Sequence, residues 1–199
     1  MCSRFELTLN YKDLEKKLCS KKIPQKYKSG EIRPTDPILC LNGTEAFINR
    51  WGIKVSWSNS SLINARSETL LDKKTFRPLL DSRCLVLATA YFEWRISGKK
   101  HLKNRISLTN GELFAFAGLT NGQHAVILTC RPAPSIAHIH NRMPIILSQT
   151  SEKAWINKSY PIEAALKQII TDHNPSIISK EEFLTPSHQG ELFEYNTKL

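Results

Sequence analysis

The sequence predicts an α+β fold in which a mostly antiparallel sheet curls into a barrel and short helices lie on its flanks. Between residues 38 and about 130, apolar or alternating runs of four to ten residues are separated by Gly, Asn and Lys turns, as in antiparallel sheets. Segments with helical spacing lie mainly toward the two ends of the chain. At 199 residues we expect one domain that covers residues 1–199.

The predicted elements begin with a short amphipathic helix over residues 11–20, because Leu14 and Leu18 lie four residues apart. Residues 21–37 contain three prolines and predict a surface loop. The predicted strands that follow are Ile38–Leu41, Ala46–Val55, Cys84–Ala88, Tyr91–Ile96, Arg105–Leu108, Leu113–Leu119 and Ala125–Thr129.

Two Asn-Gly pairs, at residues 110–111 and 121–122, are strong hairpin signals within this β region. Pro132 and Pro134 open a short helical segment toward His140, and Pro144–Leu147 predicts another strand. Helices are predicted at about 150–157 and 161–172, so the region 150–199 is expected to be helical or tail.

The composition indicates which class of binding partner and which cellular compartment to expect. Lys and Arg total 28 against 18 acidic residues, a net charge of +10 that favours a polyanion, above all nucleic acid. A generically basic surface explains the same excess. No apolar run approaches the ~20 residues of a membrane span, so we expect no membrane contact and a cytoplasmic protein, nucleoid-associated if bacterial.

The five cysteines form an odd set without a CxxC pair, which fits neither a disulfide framework nor a zinc ribbon. Reduced thiols are the expected state. Histidines and cysteines lack the spacing of metal ligands, so we expect no metal and no other cofactor.

The most informative cysteine is Cys2, directly behind the initiator Met1. Removal of Met1 would give Cys2 an α-amine and a thiol on adjacent carbons. Such a 1,2-aminothiol can attack an aldehyde with nitrogen and then close sulfur onto the same carbon, which forms a thiazolidine ring. The alternative is that the second residue is a cysteine by chance.

Three further polar segments lie in apolar surroundings. Glu93 follows Tyr91 and Phe92, and such an enclosure would raise its pKa and suit it to proton transfer, unless it points outward from an alternating strand. His140 is either a catalyst or a structural hydrogen-bonding residue. Asn64 and Arg66 alternate on a predicted strand, where they either hold an amine and a phosphate or form a solvated edge.

Together these segments resemble the SOS response-associated peptidase (SRAP) family, proteins that cross-link to abasic sites in single-stranded DNA. The likeness extends through residue 150. Its motifs, in chain order, are Met-Cys-x-Arg-Phe at the start, Trp51-Gly52, Ile-Asn-Ala-Arg-x-Glu-Thr at 63–69, Arg83-Cys84-Leu85, Phe92-Glu93-Trp94, Thr129 and Ile139-His140-x-Arg142-Met143-Pro144.

The resemblance implies a fold, a reaction and a set of catalytic residues. It implies the fold of that family and a self-processing enzyme in which Met1 is removed and Cys2 bonds covalently to the ring-opened sugar. Asn64 would orient the α-amine of Cys2, and Glu93 would move protons for methionine removal, imine dehydration and ring closure. His140 would protonate the ring oxygen of the sugar.

The resemblance also implies the DNA contacts. Arg4, Arg66 and Arg142 would bind phosphates around the abasic nucleotide. Trp57 would stack on a base or wedge apart a duplex, although an ordinary core residue is the alternative. The expected DNA-binding set is Arg4, Arg66, Arg142, Trp57, Pro34 and Thr129. The expected partner is single-stranded DNA with an abasic site, bound by a monomer.

The chain departs from the family pattern in three places. Ser3 replaces a usual glycine, the loop Glu31–Asp36 keeps little of the family's sequence, and Leu184–His188 is a loose echo of the family's ending. Two other functions stay open. One is a thiol peptidase with Cys2 as nucleophile. The other is a noncovalent binder of single-stranded DNA that has lost catalysis.

Overall fold

The computed structural model describes residues 2–8, 11–18, 23–24, 26–43 and 45–182. Its strands are β1 Phe5–Leu7, β2 Gly30–Ile32, β3 Pro37–Leu41, β4 Ala46–Trp51, β5 Ile53–Val55, β6 Ser58–Leu62, β7 Asn64–Arg66, β8 Arg83–Ala88, β9 Ala90–Ser97, β10 Lys100–Leu108, β11 Phe114–Thr120, β12 His124–Cys130, β13 Met143–Pro144, β14 Ile146–Leu147 and β15 Ile177–Glu181. Its helices are α1 Tyr11–Leu18, α2 Gln149–Ile156 and α3 Ile162–Thr171, with 3₁₀ turns at Ser67–Thr69, Arg77–Leu79 and Pro134–Ile136. The predicted α+β class is confirmed.

Five strands close into a ring in the order β12, β4, β3, β8 and β11, because β12 pairs with both β4 and β11. Every residue of β8 and β11 is buried, as expected for strands that are covered on both faces. The strand β7 runs parallel to β12 and places residues 64–66 beside residues 127–129. The predicted curled, barrel-like sheet is confirmed.

A second sheet has the order β15, β10, β9, β1 and β2, and all its neighbours are antiparallel. Its inner face packs against the ring through aromatic side chains. Phe5 lies 4.9 Å from Trp51 and 5.8 Å from Phe116 between ring centroids, and Tyr91 lies 6.2 Å from Phe116. Edge-on pairs of this kind each contribute about 0.5–1.5 kcal/mol beyond their buried area. The first strand of the chain is therefore part of the core.

Three helices cover the flanks of these sheets within the described residues. Leu14 and Leu18 of α1 are buried, which confirms the amphipathic helix that their spacing predicts. Trp155 of α2 is also buried, and its indole N–H donates to the carbonyl oxygens of Cys84 and Gly118 at 3.1 and 3.2 Å. These bonds fix α2 on the outside of the ring.

The turn at residues 110–111 corrects one prediction. A hairpin there is wrong, because β10 pairs with β9 and β15 whereas β11 pairs with β8, β12 and β14. Gly111 has a φ of +69° and takes the chain from one sheet to the other. The hairpin at residues 121–122 is confirmed, since β11 and β12 pair on either side of it.

Three other differences concern strand boundaries. The predicted strand Ala46–Val55 is broken at Gly52, whose φ of +113° turns the chain into the β5–β6 hairpin. Two short strands, β2 and β15, lie inside the predicted loop 21–37 and the predicted helical or tail region 150–199. Both are edge strands with partly exposed side chains, so neither carries the apolar run that marks a strand.

Some sequence predictions concern the thiols and the chain ends. Cys2, Cys40, Cys84 and Cys130 are free and buried, in agreement with the expected reduced state, whereas Cys19 lies outside the described residues. Met1 and the segment Leu184–His188 also lie outside them. No helix in the described ranges is long and apolar enough to cross a membrane.

Candidate active site

The N-terminal segment is fixed rather than frayed. Cys2 is fully buried, and its thiol donates to the carbonyl oxygen of Arg4 at 3.6 Å. The same carbonyl accepts the backbone N–H of Phe92 at 2.9 Å. Because β1 is antiparallel to β9 with Phe5 opposite Tyr91, the residues before Phe5 run alongside Phe92 and Glu93, and Cys2 is held beside the part of the strand that carries Glu93.

Glu93 lies in β9 opposite Asn104 of β10, and its side chain is buried, with 2% of the residue's surface exposed. The alternative of an outward-pointing carboxylate is therefore wrong. Burial raises the pKa of Glu93 to about 7. At neutral pH the carboxyl group is close to half protonated, which suits a group that both donates and accepts protons.

His140 faces Glu93, with its Nε2 3.8 Å from a Glu93 carboxylate oxygen. Its position follows from the 3₁₀ turn Pro134–Ile136, since the His140 N–H donates to the Ile136 carbonyl. His140 Nδ1 lies 3.0 Å from the Arg142 backbone nitrogen and 3.2 Å from the Arg142 carbonyl oxygen, and these contacts orient the ring so that Nε2 is toward Glu93. Burial lowers the pKa of His140 and favours the neutral ring.

Asn64 reaches Cys2 from the other side. It lies in β7 opposite Ile127, and its Nδ2 donates to the Cys2 carbonyl oxygen at 2.7 Å. The other end of the amide, Oδ1, is buried and has no hydrogen-bond partner among the described residues. An unsatisfied buried acceptor of this kind is costly, and a new donor beside it would be stabilised.

The Cys2 thiol is not activated in the usual way of a catalytic cysteine. Its burial and the nearby Glu93 carboxylate both raise its pKa far above the ordinary range. The protonated thiol is therefore the dominant form at neutral pH. A reaction at this sulfur needs a neighbouring group to accept its proton.

The three predicted phosphate ligands have different surroundings. Arg142 makes a bidentate ion pair with Glu68 at 2.6 and 2.9 Å. It also donates to the Thr129 carbonyl at 2.7 Å and to the Thr129 hydroxyl at 3.1 Å. Arg4 pairs with Glu31 at 2.6 Å. Arg66 is exposed and makes no ion pair with the described residues.

The remaining predicted DNA-binding residues lie on two loops and in the core. Trp57 occupies the turn of the β5–β6 hairpin and is 67% exposed, so its interpretation as a core residue is wrong. Pro34 is half-buried in the turn before β3. Thr129 is fully buried, where its hydroxyl donates to the Ala65 carbonyl at 3.4 Å.

The structure thus brings Cys2, Asn64, Glu93 and His140 together from four separate parts of the chain. Sequence reasoning missed the acidic partners of the arginines, Glu31 and Glu68, as site residues. It also missed Lys103, which lies opposite Trp94 in the β9–β10 pair. The register of β9 against β10, which sequence reasoning did not predict, is what would have placed Lys103 there. Within the described ranges, no three His, Cys, Asp or Glu side chains are grouped as metal ligands.

A model of the SOS response associated peptidase family matches residues 1–181 of the chain. The chain belongs to this family. Among curated proteins, the chain is 33% identical to the abasic site processing protein YoqW of Bacillus subtilis, over 79% of the chain and 80% of the relative. It is 32% identical to the abasic site processing protein YobE of the same species, over 98% of the chain and 99% of the relative.

Solved structures share the fold of this SRAP family chain. A protein from Bacteroides thetaiotaomicron superposes with a TM-score of 0.76 at 21% identity, over 90% of this chain and 91% of that one. A phage-related protein from Bordetella bronchiseptica gives a TM-score of 0.75 at 19% identity, over 91% and 94% of the two chains.

Proposed function

We propose that this protein processes abasic sites in single-stranded DNA by forming a covalent cross-link between Cys2 and the ring-opened sugar. The observation that carries the proposal is the burial of Cys2 between Asn64, which bonds its carbonyl oxygen, and Glu93, which raises the pKa of its thiol. Family membership and the printed names of the relatives support the same substrate.

The reaction begins with removal of Met1. Hydrolysis of the Met1–Cys2 peptide bond consumes one water and releases methionine, and it gives Cys2 a free α-amine. Asn64 fits the next role, because its buried Oδ1 is available to accept a hydrogen bond from that amine. An α-amine has an ordinary pKa of about 7.7–8.0, so an appreciable fraction is neutral and nucleophilic at neutral pH.

The cross-link then forms in two bond-making steps. The sugar ring opens to an aldehyde, with His140 as proton donor to the ring oxygen. The amine adds to the aldehyde carbon, and loss of one water gives an imine. The sulfur of Cys2 then adds to the same carbon, its proton is transferred to the nitrogen, and a thiazolidine ring results.

Glu93 is the group suited to move these protons. Its pKa of about 7 lets it give a proton to the departing water and take one from the thiol. The raised pKa of Cys2 fits an order in which nitrogen attacks first and sulfur second. His140, 3.8 Å away, would return protons to the carboxylate between steps.

The net charge of +10 supports DNA as the partner, and exposed Arg66 and Trp57 are available for a phosphate and a base. Selectivity for the lesion would follow from the aldehyde, which intact DNA lacks. An absent base also lowers the cost of turning the sugar out of the stack. The protein would therefore recognise the damage without reading sequence.

The test is a cross-linking assay with single-stranded DNA treated with uracil glycosylase. The wild-type protein should give a heat-stable shifted band, and Cys2→Ala should give none. Cys2→Ser keeps the amine without the thiol and should give at most an imine, trapped only by borohydride. Cys130→Ala removes another buried thiol and should leave the band intact. A heat-stable band with Cys2→Ala would refute the proposal.

Two observations distinguish the proposal from its alternatives. A thiol peptidase uses an ionised cysteine as its nucleophile, whereas burial keeps the Cys2 thiol protonated. Intact mass measurements should show loss of Met1 with no cleavage of added peptides. A noncovalent binder would instead hold intact and abasic single strands equally and give no covalent product.

A further inference from the structure

A cluster of four charged side chains lies on the face of the second sheet that is turned away from the core. One carboxylate oxygen of Glu31 is 2.6 Å from Arg4 Nη1, and the other is 2.7 Å from Lys103 Nζ. Lys103 also pairs with Glu182 at 2.9 Å. Glu31 therefore joins a cation that precedes β1 to a cation of β10. None of the proposed proton transfers uses Glu31, Lys103 or Glu182.

This cluster is next to the reactive groups along two neighbouring strands. Arg4 is two residues from Cys2, and its carbonyl oxygen accepts the Cys2 thiol. Lys103 is in register with Trp94, the neighbour of Glu93. The guanidinium of Arg4 lies 5.8 Å from the centre of the Trp94 ring. The cluster thus lies on the outer face of the strand whose inner face carries Glu93, and it begins two residues from Cys2.

The cations of the cluster offer more donors than Glu31 uses. The carboxylate contacts Arg4 only through Nη1, and Arg4 Nε is buried with no hydrogen-bond partner among the described residues. Guanidinium groups bind phosphate through two parallel donors, and an ammonium group adds a point charge. A phosphodiester carries one negative charge shared by two non-bridging oxygens. It resembles in this respect the Glu31 carboxylate, which carries one negative charge shared by its two oxygens.

The geometry points to a phosphate subsite made of Arg4 and Lys103, which Glu31 occupies until a DNA phosphate displaces it. The inference rests on the proposed function and adds two residues to it. Lys103 becomes a DNA-binding residue, and Glu31 becomes a competitor that weakens noncovalent binding. Strands without a lesion would then be released, whereas abasic strands would be retained by the bond to Cys2.

The test measures noncovalent affinity for a single-stranded oligonucleotide with a tetrahydrofuran abasic analogue, which has no aldehyde and cannot cross-link. Glu31→Gln should bind about 3- to 10-fold more tightly than wild type. Lys103→Gln should bind more weakly by a similar factor. Its slope of log affinity against log salt should be shallower by about 0.7, the value for one phosphate contact on a single strand.

Matched controls isolate the subsite from net charge. Glu112→Gln and Lys167→Gln remove the same charges from exposed positions that make no ion pair with the described residues. Thermal unfolding of each variant checks that the fold is kept. Effects no larger than the controls, or weaker binding by Glu31→Gln, would overturn the subsite. Cross-linking by the wild-type protein is measured separately, so the proposed function can stand while this inference fails.

Discussion

At the scale of single residues, Glu93 shows how a strand converts an ordinary carboxylate into a group that titrates at neutral pH. The backbone of β9 places its side chain on the inner face, and desolvation raises its pKa to about 7. Arg95, two residues further along β9, does not offset this effect, because its guanidinium pairs with Glu181 at 2.8 Å.

The raised pKa makes Glu93 a source of pH-dependent stability. Its folded pKa of about 7 exceeds its value near 4.5 in the unfolded chain. The contribution is therefore fully present below about pH 4.5 and is lost as pH rises through 7. Glu93→Gln cannot ionise, so relative to it the wild type should lose on the order of 3 kcal/mol of unfolding free energy between pH 4 and 8.

Denaturant unfolding at the two pH values measures this difference. Glu112→Gln is the control, because Glu112 is exposed and the variant should follow the wild type at both values. Parallel pH profiles for wild type and Glu93→Gln would show that the carboxyl group is not desolvated in the folded protein.

The same substitution tests the catalytic role of Glu93. Gln has the shape of Glu but cannot exchange a proton, so cross-linking should slow by about 10²- to 10⁴-fold, the usual contribution of a general acid–base group. Single-turnover rates are compared only for molecules whose intact mass shows Cys2 as the first residue. A rate within a few-fold of wild type would assign the proton transfers to another group.

At the scale of elements, the β5–β6 hairpin carries Trp57 outward without using it for packing. Because Trp57 is 67% exposed, Trp57→Ala should change the unfolding free energy by less than about 0.5 kcal/mol. If the indole stacks on a base, affinity for single-stranded DNA should fall by 1–3 kcal/mol, or roughly 5- to 150-fold. Fluorescence anisotropy with an intact oligonucleotide measures this loss.

Tyr160→Ala is the matched control, since Tyr160 is also an exposed aromatic residue but lies between α2 and α3. That variant should bind DNA as the wild type does. Equal affinities for all three proteins would remove the hairpin from the DNA path.

The direction of this hairpin depends on Gly52. Its φ is +113°, and a Cβ there would lie 2.9 Å from the Ser61 Cβ and 3.1 Å from a methyl group of Ile63. Gly52→Ala should therefore cost about 1–3 kcal/mol of unfolding free energy. Gly98 also has a positive φ, +59°, but open space around it, so Gly98→Ala should cost less. Equal losses would mean that the close approach to Ser61 is easily relieved.

At the scale of the whole molecule, the sequence predicted individual strands much better than their neighbours. Alternation and apolar runs locate β8, β11 and β12, and the Asn-Gly pair at 121–122 locates one hairpin. Strand order depends on long-range pairing, which no local pattern encodes. The parallel pairing of β7 with β12, which brings Asn64 toward Cys2, is such a case.

The candidate site shows the same division. The identities of Cys2, Asn64, Glu93 and His140 followed from resemblance, because the family motifs name residues directly. The ionic contacts of Glu31 and Lys103 did not follow from the resemblance. Glu31 is in an edge strand inside a predicted loop, and Lys103 precedes the predicted start of its strand at Arg105. Both contacts exist only because β1, β2, β9 and β10 are neighbours.

The distribution of charge over the molecule leads to a final prediction, that noncovalent and covalent binding respond differently to salt. The three arginine–phosphate contacts on a single strand contribute about −2 to the slope of log affinity against log salt, so a tenfold rise in salt should weaken binding by at least about 100-fold. The slope should not depend on base sequence, because phosphates carry none. Filter binding with intact oligonucleotides measures this slope, and Arg66→Gln should make it shallower by about 0.7.

Cross-links to abasic DNA that have already formed should survive 1 M salt, because a covalent bond has no counterions to exchange. A flat salt profile with intact DNA would contradict the phosphate contacts, and release of abasic DNA by salt would contradict the bond to Cys2.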